Sequence, residues 1–472
     1  MIFSSNVFLF LYLPVVLVLY YISSRRFRNA VLLFWSLIFY GWGEPVYLLL
    51  MVATILINYL FGIWIQHCRA SSKPAADKMV LAAAVTANLL ILGFFKYAGF
   101  IAQQLQLIFP GMPVPEIALP IGISFYVFQS MSYVIDVYRK DAPVQKNVVS
   151  FGTYVALFPQ LIAGPIVRYQ DVAQQLENRK EQVSDFASGV LLFITGLSKK
   201  VLLANALGML WEGVKNAQGV VTFTGLMDYS GTLAAWVGLI AYALQIYFDF
   251  SGYSDMARGL GRMFGFDFME NFNYPYISRS ITEFWRRWHI SLSTWFREYV
   301  YIPLGGNRRG LPRQLCNILV VWALTGLWHG ASWNFVFWGL FYALLLILEK
   351  TFLLNWLKKL PAAVGRCYTM LAVLLAWALF YFRDLTQLGD FLQQLFTFTP
   401  TSIQGVHLIL GFLPLMLTAI FAATPIAKHL AAKMEQKAAF RYGRLLLAAI
   451  GLLLCVASLA SSSFNPFIYF QF

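Results

Sequence analysis

Two histidines, His289 and His329, lie in the stretch Phe284 to Gly339, which reads FWRRWHISLSTWFREYVYIPLGGNRRGLPRQLCNILVVWALTGLWHGASWNFVFWG. Ionisable groups inside so apolar a setting are costly and are usually kept for a task. A neutral histidine can take a proton from a hydroxyl as that oxygen attacks an acyl carbonyl. His329 is the candidate for this general base. Position alone leaves it open between that role and a packed, hydrogen-bonded residue, but a helix break at Gly330-Ala331 and the neighbouring Thr325, Ser332 and Asn334 suggest a polar pocket. His289 sits among arginines, where it orients a donor group, tunes the pocket or simply packs. The cluster Arg286, Arg287, Arg297, Arg308 and Arg309 also has two readings. One is positive-inside anchoring; the other is a binding face for a phosphate-rich donor such as a coenzyme A thioester. His67, His407 and His429 stand at loop or segment ends as bystanders. No zinc quartet, Gly-x-Ser-x-Gly elbow or phosphate-binding Gly-x-x-x-x-Gly-Lys loop accompanies them, so no metal site is expected. A histidine acting on an incoming hydroxyl is then the most economical chemistry.

The elements that must position these groups are set by composition. Of 472 residues, 59% are hydrophobic, 17% aromatic and only 12% charged, which places the chain in a lipid bilayer. Apolar runs of about the ~20 residues needed for a helical span recur from end to end and predict an all-α polytopic integral membrane protein with eleven to thirteen helical segments, some re-entrant. The N-terminal run lacks a basic n-region and a cleavage site, and reads as a retained first span. The net charge of +14 comes from basic residues at the ends of apolar runs, which fits positive-inside orientation and not nucleic acid. Cys68, Cys316, Cys367 and Cys455 are scattered without metal-ligand or disulfide spacing.

Arg25, Arg26 and Arg28 follow the first span, which puts them on the cytoplasmic side and the N-terminus outside. Proline and glycine interrupt several later segments, as in Leu119-Pro120-Ile121-Gly122, and broken helices of this kind line cavities. Between Asp249 and Asn273, acids at 249, 255 and 267 and glycines at 252, 259, 261 and 265 interrupt the apolar pattern. Met256, Leu260, Met263 and Phe264 recur at helical spacing there, with Arg258 and Arg262 on another face, predicting a short amphipathic helix at the inner interface. A helix from Leu315 rises ~1.5 Å per residue, which carries His329 about 20 Å or more into the membrane. The basic loop from Lys428 to Arg444 should be cytoplasmic, so the next segment crosses once and the tail 464–472 emerges on the outer face. One domain is expected over 1–472, with its core at about 119–350.

Three runs carry a family resemblance: YFDFSGYSDMARGLGRMFGF, NFNYPYISRSITEFWRRWHISLSTWFREYVYIPLGGNR and LTGLWHGASWNFVFWG. Together they resemble the membrane-bound O-acyltransferase (MBOAT) family, in particular its bacterial branch that acetylates cell-envelope polysaccharides such as alginate and peptidoglycan. The opening IFSSNVFLFLYLPVVLVLYY and the ending FNPFIYFQF are similar to that branch too, so the likeness spans nearly the whole chain. The resemblance implies a helical core with a cytoplasmic funnel for the acyl donor, an outer opening for the acceptor, and a family histidine between them. His329 matches that histidine, and His289 matches the second one, in the RRWHISLS run. A FIYF-type tail that a teichoic acid D-alanylating relative carries on a separate small protein is fused here, which favours acetyl transfer.

The resemblance therefore implies an O-acetyltransferase in the bacterial cytoplasmic (inner) membrane, and the charge pattern puts both of its termini on the periplasmic face. Acetyl-CoA is the expected donor, no cofactor is held, Arg286, Arg287, Arg297 and Arg308 bind the donor, and a cell-envelope polysaccharide is the final acceptor. No esterase-like domain is visible in the chain, so a separate SGNH/esterase-like partner with a nucleophilic serine is implied outside. Tyr469 is either part of an interfacial aromatic belt or the residue that receives acetyl once His329 has taken its proton. An activated phenyl-type ester would then pass the group on, because a phenol of pKa ≈ 10 leaves more readily than an alkyl alcohol. A transporter of acetyl groups or of an acetylated carrier, and an acyltransferase acting on a lipid or teichoic acid, remain the alternatives.

Overall fold

The computed structural model describes residues 1–71, 74–162, 164–215, 220–222, 225–227, 231–434, 436–461 and 467–468. Helices dominate because a backbone in hydrocarbon must satisfy its own polar groups. Only a short hairpin, Val220–Thr222 paired antiparallel with Gly225–Met227, departs from this among the described residues.

The first helices in chain order are α1 (Phe8–Ile22), α2 (Arg28–Gly41), α3 (Tyr47–Ala70), α4 (Pro74–Gln106), α5 (Ile123–Arg139) and α6 (Val148–Ala156). Then come α7 (Val183–Val214), α8 (Thr232–Met263), α9 (Ile281–Arg287), α10 (Ile290–Phe296) and α11 (Leu311–His329). The last are α12 (Trp333–Leu357), α13 (Ala362–Tyr381), α14 (Ile403–Ala422) and α15 (Ala438–Ser461). Eight of these are long and apolar enough to cross a membrane among the described residues: α3, α4, α7, α8 and α12 to α15. The eleven to thirteen helical segments expected, some of them re-entrant, include shorter helices beside these eight: α1 is a shorter apolar helix, and α5 and α6 are short and buried in protein. α5 buries Gln129, Ser130, Ser132 and Asp136 together with its aromatic residues.

Two further expectations are corrected. The short amphipathic helix around Met256 to Phe264 is the continuation of α8, which runs unbroken from Thr232 to Met263. Its glycines are contact sites and not breakers: a Cβ on Gly252 would sit 2.7 Å from the carbonyl oxygen of Gly196, and one on Gly259 would sit 2.6 Å from that of Gly189. Small residues of this kind let membrane helices approach at backbone distance. The basic stretch Lys428 to Arg444 is helical over most of its length, in Ile426–Met434 and the first turns of α15.

Packing groups the chain into two compact units, residues 1–193 with 253–270, and residues 194–252 with 271–472. The first unit has an aromatic core in which Phe3 stacks on Tyr253 at 4.5 Å and Tyr12 meets Phe158 edge-on at 5.3 Å. At one end Arg28 pairs with Glu181 at 2.6 Å and Tyr20 donates to the same carboxylate at 2.5 Å. Both candidate histidines belong to the second unit.

Candidate functional site

His329 is the last residue of α11, and the chain turns at Gly330 into α12. The position is fixed one turn earlier by a glycine contact. A Cβ on Gly326 would collide with the carbonyl oxygen of Phe335, and one on Gly339 would collide with that of Trp322. Any side chain at either position would force the two helices apart. His329 is half-buried, with Trp338 at 4.9 Å, Trp328 at 5.0 Å and Phe380 at 5.2 Å between ring centres. The polar pocket expected from Thr325, Ser332 and Asn334 is therefore an aromatic cage. Thr325 donates back to the Val321 carbonyl of its own helix, and Asn334 donates to the carbonyl of Phe380, so both spend their polarity on backbone.

His289 occupies a position between α9 and α10, just after Trp288. Its φ of +45° is left-handed, a conformation that costs a non-glycine residue of order 1 kcal/mol and that clusters at functional sites. Asn271 holds it there. The Asn271 main-chain carbonyl accepts from Ile290 at 3.0 Å, and Oδ1 accepts from the Ser291 N–H at 3.0 Å, capping the start of α10. The same Oδ1 lies 3.2 Å from His289 Nδ1. An amide oxygen can only accept, so across this contact Nδ1 carries the proton and donates. Nε2 is then the basic nitrogen, and it is buried with no hydrogen-bond partner among the described residues.

The two histidines share Trp328, whose ring centre is 6.1 Å from His289 and 5.0 Å from His329. Both also line one small chamber, together with Asp249, Phe250, Trp288, Trp338, Trp377, Phe380 and Ile468. Its volume of about 20 Å³ leaves room for about one water. A group larger than a water molecule therefore enters only as the aromatic lining moves.

A second cavity of about 720 Å³, a volume suited to a sizeable organic ligand, opens on the same helix. Ile318, Val321, Trp322 and Thr325 of α11 form one wall, and Arg286, Arg297, Arg308, Arg309 and Lys350 bring positive charge to it. α9, which carries Arg286, is fixed by the buried carboxylate of Glu349. That group accepts from the Ile281 N–H at 2.6 Å and the Thr282 N–H at 2.8 Å, satisfying orphan donors at the helix start. Thr325 borders the cleft and His329, four residues on and ~6 Å further along the axis, borders the chamber. One helix thus connects a cationic cleft to a two-histidine chamber.

Of the sequence-predicted residues, His289 and His329 are brought together, and Arg286, Arg297 and Arg308 share the cleft. Arg287 is not among the cleft-lining residues: it pairs with Glu283 at 3.0 Å and donates to the Asn273 carbonyl at 3.1 Å. Adjacent residues on a helix point about 100° apart, which separates it from Arg286. His67, His407 and His429 are exposed and line neither cavity. Tyr469 lies outside the described residues, although Ile468 before it lines the chamber. Sequence reasoning missed Asn271, which carries no pattern that marks it. It also noted Asp249 only as an acid and passed over Lys200, although a charge within an apolar run is a signal in its own right.

The model of the MBOAT, membrane-bound O-acyltransferase family, matches residues 139–388. The probable alginate O-acetylase AlgI of Pseudomonas putida is 40% identical over 100% of both chains. That of Pseudomonas aeruginosa is 44% identical over 84% of this chain and 75% of its own. The peptidoglycan O-acetyltransferase of Helicobacter pylori is 32% identical over 82% of this chain and 78% of its own.

Proposed function

Because the chain belongs to the membrane-bound O-acyltransferase family, we propose that it moves acetyl from cytoplasmic acetyl-CoA to the outer face of the bacterial inner membrane for O-acetylation of a cell-envelope polysaccharide. It is a multi-pass acyltransferase, and the observation that carries the finer reading is the cationic cleft and the histidine chamber on successive turns of α11. The positive-inside rule assigns the arginine-lined mouth to the cytoplasm. The guanidinium groups of Arg286, Arg297 and Arg308 then hold the donor's phosphates, and the aromatic wall of Trp285, Phe296 and Trp322 takes its less polar parts.

In this scheme His329 accepts the phenolic proton of Tyr469 as the phenol oxygen attacks the thioester carbonyl. The C–O bond forms, the C–S bond breaks, and the coenzyme A thiolate leaves and is protonated. His289, with Nε2 as an acceptor, holds the incoming hydroxyl or receives a proton in the same chamber. The acetyl-tyrosine ester then yields its acyl group to the serine oxygen of a separate SGNH/esterase-like partner, which delivers it to the polysaccharide. Supporting the tail's part is the described pair Phe467 and Ile468, both buried, with Ile468 in the chamber wall one residue before Tyr469.

Reconstituted protein given acetyl-labelled acetyl-CoA should release coenzyme A and carry label that maps to Tyr469 by mass spectrometry. Label on another residue, or polysaccharide acetylation with no covalent label, would remove the tyrosine step. The cleft makes a separate prediction. Neutralising Arg286 and Arg308 together to glutamine should raise the donor KM by about 5- to 50-fold and change kcat little, since ground-state phosphate contacts bind substrate and transition state alike. Arg287→Gln should change the donor KM less than Arg286→Gln, because its guanidinium is committed to Glu283 and Asn273. Equal effects of the two single changes would return the arginines to a topogenic role.

A further inference from the structure

Within the second unit, Lys200 of α7 and Asp249 of α8 form an ion pair with Nζ 2.7 Å from Oδ1, and each side chain is only 3% exposed. Lys200 lies in the π-helical stretch Lys199–Ala204, where an extra residue in the turn re-aims side chains, and its ammonium also donates to Asn205 Oδ1 at 2.9 Å. Such a pair is expensive inside a membrane protein and is often no more stabilising than well-packed apolar residues. It does one thing that apolar residues cannot. The second carboxylate oxygen, Oδ2, accepts the main-chain N–H of Ile468 at 2.8 Å, in a buried contact that spans 219 positions of the chain. Phe467 and Ile468 are 6% and 5% exposed, and Asp249 and Ile468 line the chamber that holds both histidines.

We propose that Lys200 and Asp249 form a clamp that seats the C-terminal segment at the histidine chamber, with Asp249 the positioning residue and Lys200 the group that holds its carboxylate aimed. The contact is to backbone, so it fixes where the tail lies without specifying the side chain at 468. A charged acceptor makes the stronger class of hydrogen bond, and burial removes water as a competitor. The clamp's catalytic value rests on the proposed role of Tyr469 as acetyl carrier; the seating of the tail does not.

Hydrogen exchange of the full-length protein, read on the C-terminal peptide by mass spectrometry, tests the seating directly. Asp249→Asn, the double change Lys200→Met with Asp249→Leu, and Ile468→Pro should each speed exchange in the tail about tenfold or more, while the long helices keep their protection. The double change leaves no uncompensated charge behind, and Ile468→Pro removes the donor with the ion pair intact. Ile468→Ala keeps the N–H and should stay closer to the parent than Ile468→Pro. Unchanged tail exchange in the double variant, or equal loosening by the alanine and proline changes, overturns the clamp. Acetyl transfer is measured in parallel, with an expected fall in kcat of about tenfold and an unchanged donor KM. A loosened tail with undiminished kcat overturns the positioning role and counts against the tyrosine step. Absence of label on Tyr469 in the parent protein, by contrast, removes the tyrosine step and leaves the exchange result standing.

Discussion

Replacing His329 by alanine is expected to lower acetyl transfer by about 10²- to 10⁴-fold, the range that a positioned general base supplies. The effect should fall on kcat, because the residue borders the small chamber and is absent from the wall of the cationic cleft. Stability should change far less. His329 is half-buried at a helix end, and the helix crossing that fixes it is made by Gly326 and Gly339, which the substitution leaves alone. His329→Gln keeps more of the volume against Trp338 and Phe380 and should be as inactive as the alanine variant, which separates lost basicity from a lost packing contact. The measurement is coenzyme A release from purified, reconstituted protein beside its thermal midpoint. Turnover within a few-fold of the parent in either variant would move the base elsewhere, with His289 the first alternative, since its Nε2 is already the acceptor nitrogen.

Tyr469→Phe should abolish the covalent acetyl label and stop polysaccharide acetylation. The ring is kept, so any contribution to an interfacial aromatic belt survives, and only the nucleophilic oxygen is removed. Like the His329 changes, this one should leave the donor KM near its parent value, and the exchange protection of the tail should persist because Ile468 still donates to Asp249. Slow coenzyme A release by water would remain compatible with the scheme, since a hydroxyl other than the phenol could then attack. Normal polysaccharide acetylation by Tyr469→Phe would end the shuttle and make the tail an anchor or a docking site.

Composition alone settles the class of the protein. An apolar share of 59% against 12% charged residues admits no soluble fold, and hydropathy marked the long apolar helices, though it ended α8 short of its true length. Local pattern also singled out His329 and His289, because a titratable group in an apolar run stands out from its neighbours, and the helix break after His329 was legible from Gly330. Hydropathy and periodicity are sums over neighbouring residues, however, and they say nothing of which surfaces meet. α5 and α6 therefore read as membrane segments although protein covers them, and the glycines of α8 read as breaks although they are contacts with α7. The same limit held at the site. Arg286 and Arg287 are equivalent on paper, and only the direction each takes from α9 sends one to the cleft and the other to Glu283. The proton on His289 was decided by Asn271, 18 positions away, and the seat of the tail by Asp249, 219 positions away. Tertiary packing alone brings such pairs together, and in a membrane interior it does so where a hydrogen bond has no water to compete with it.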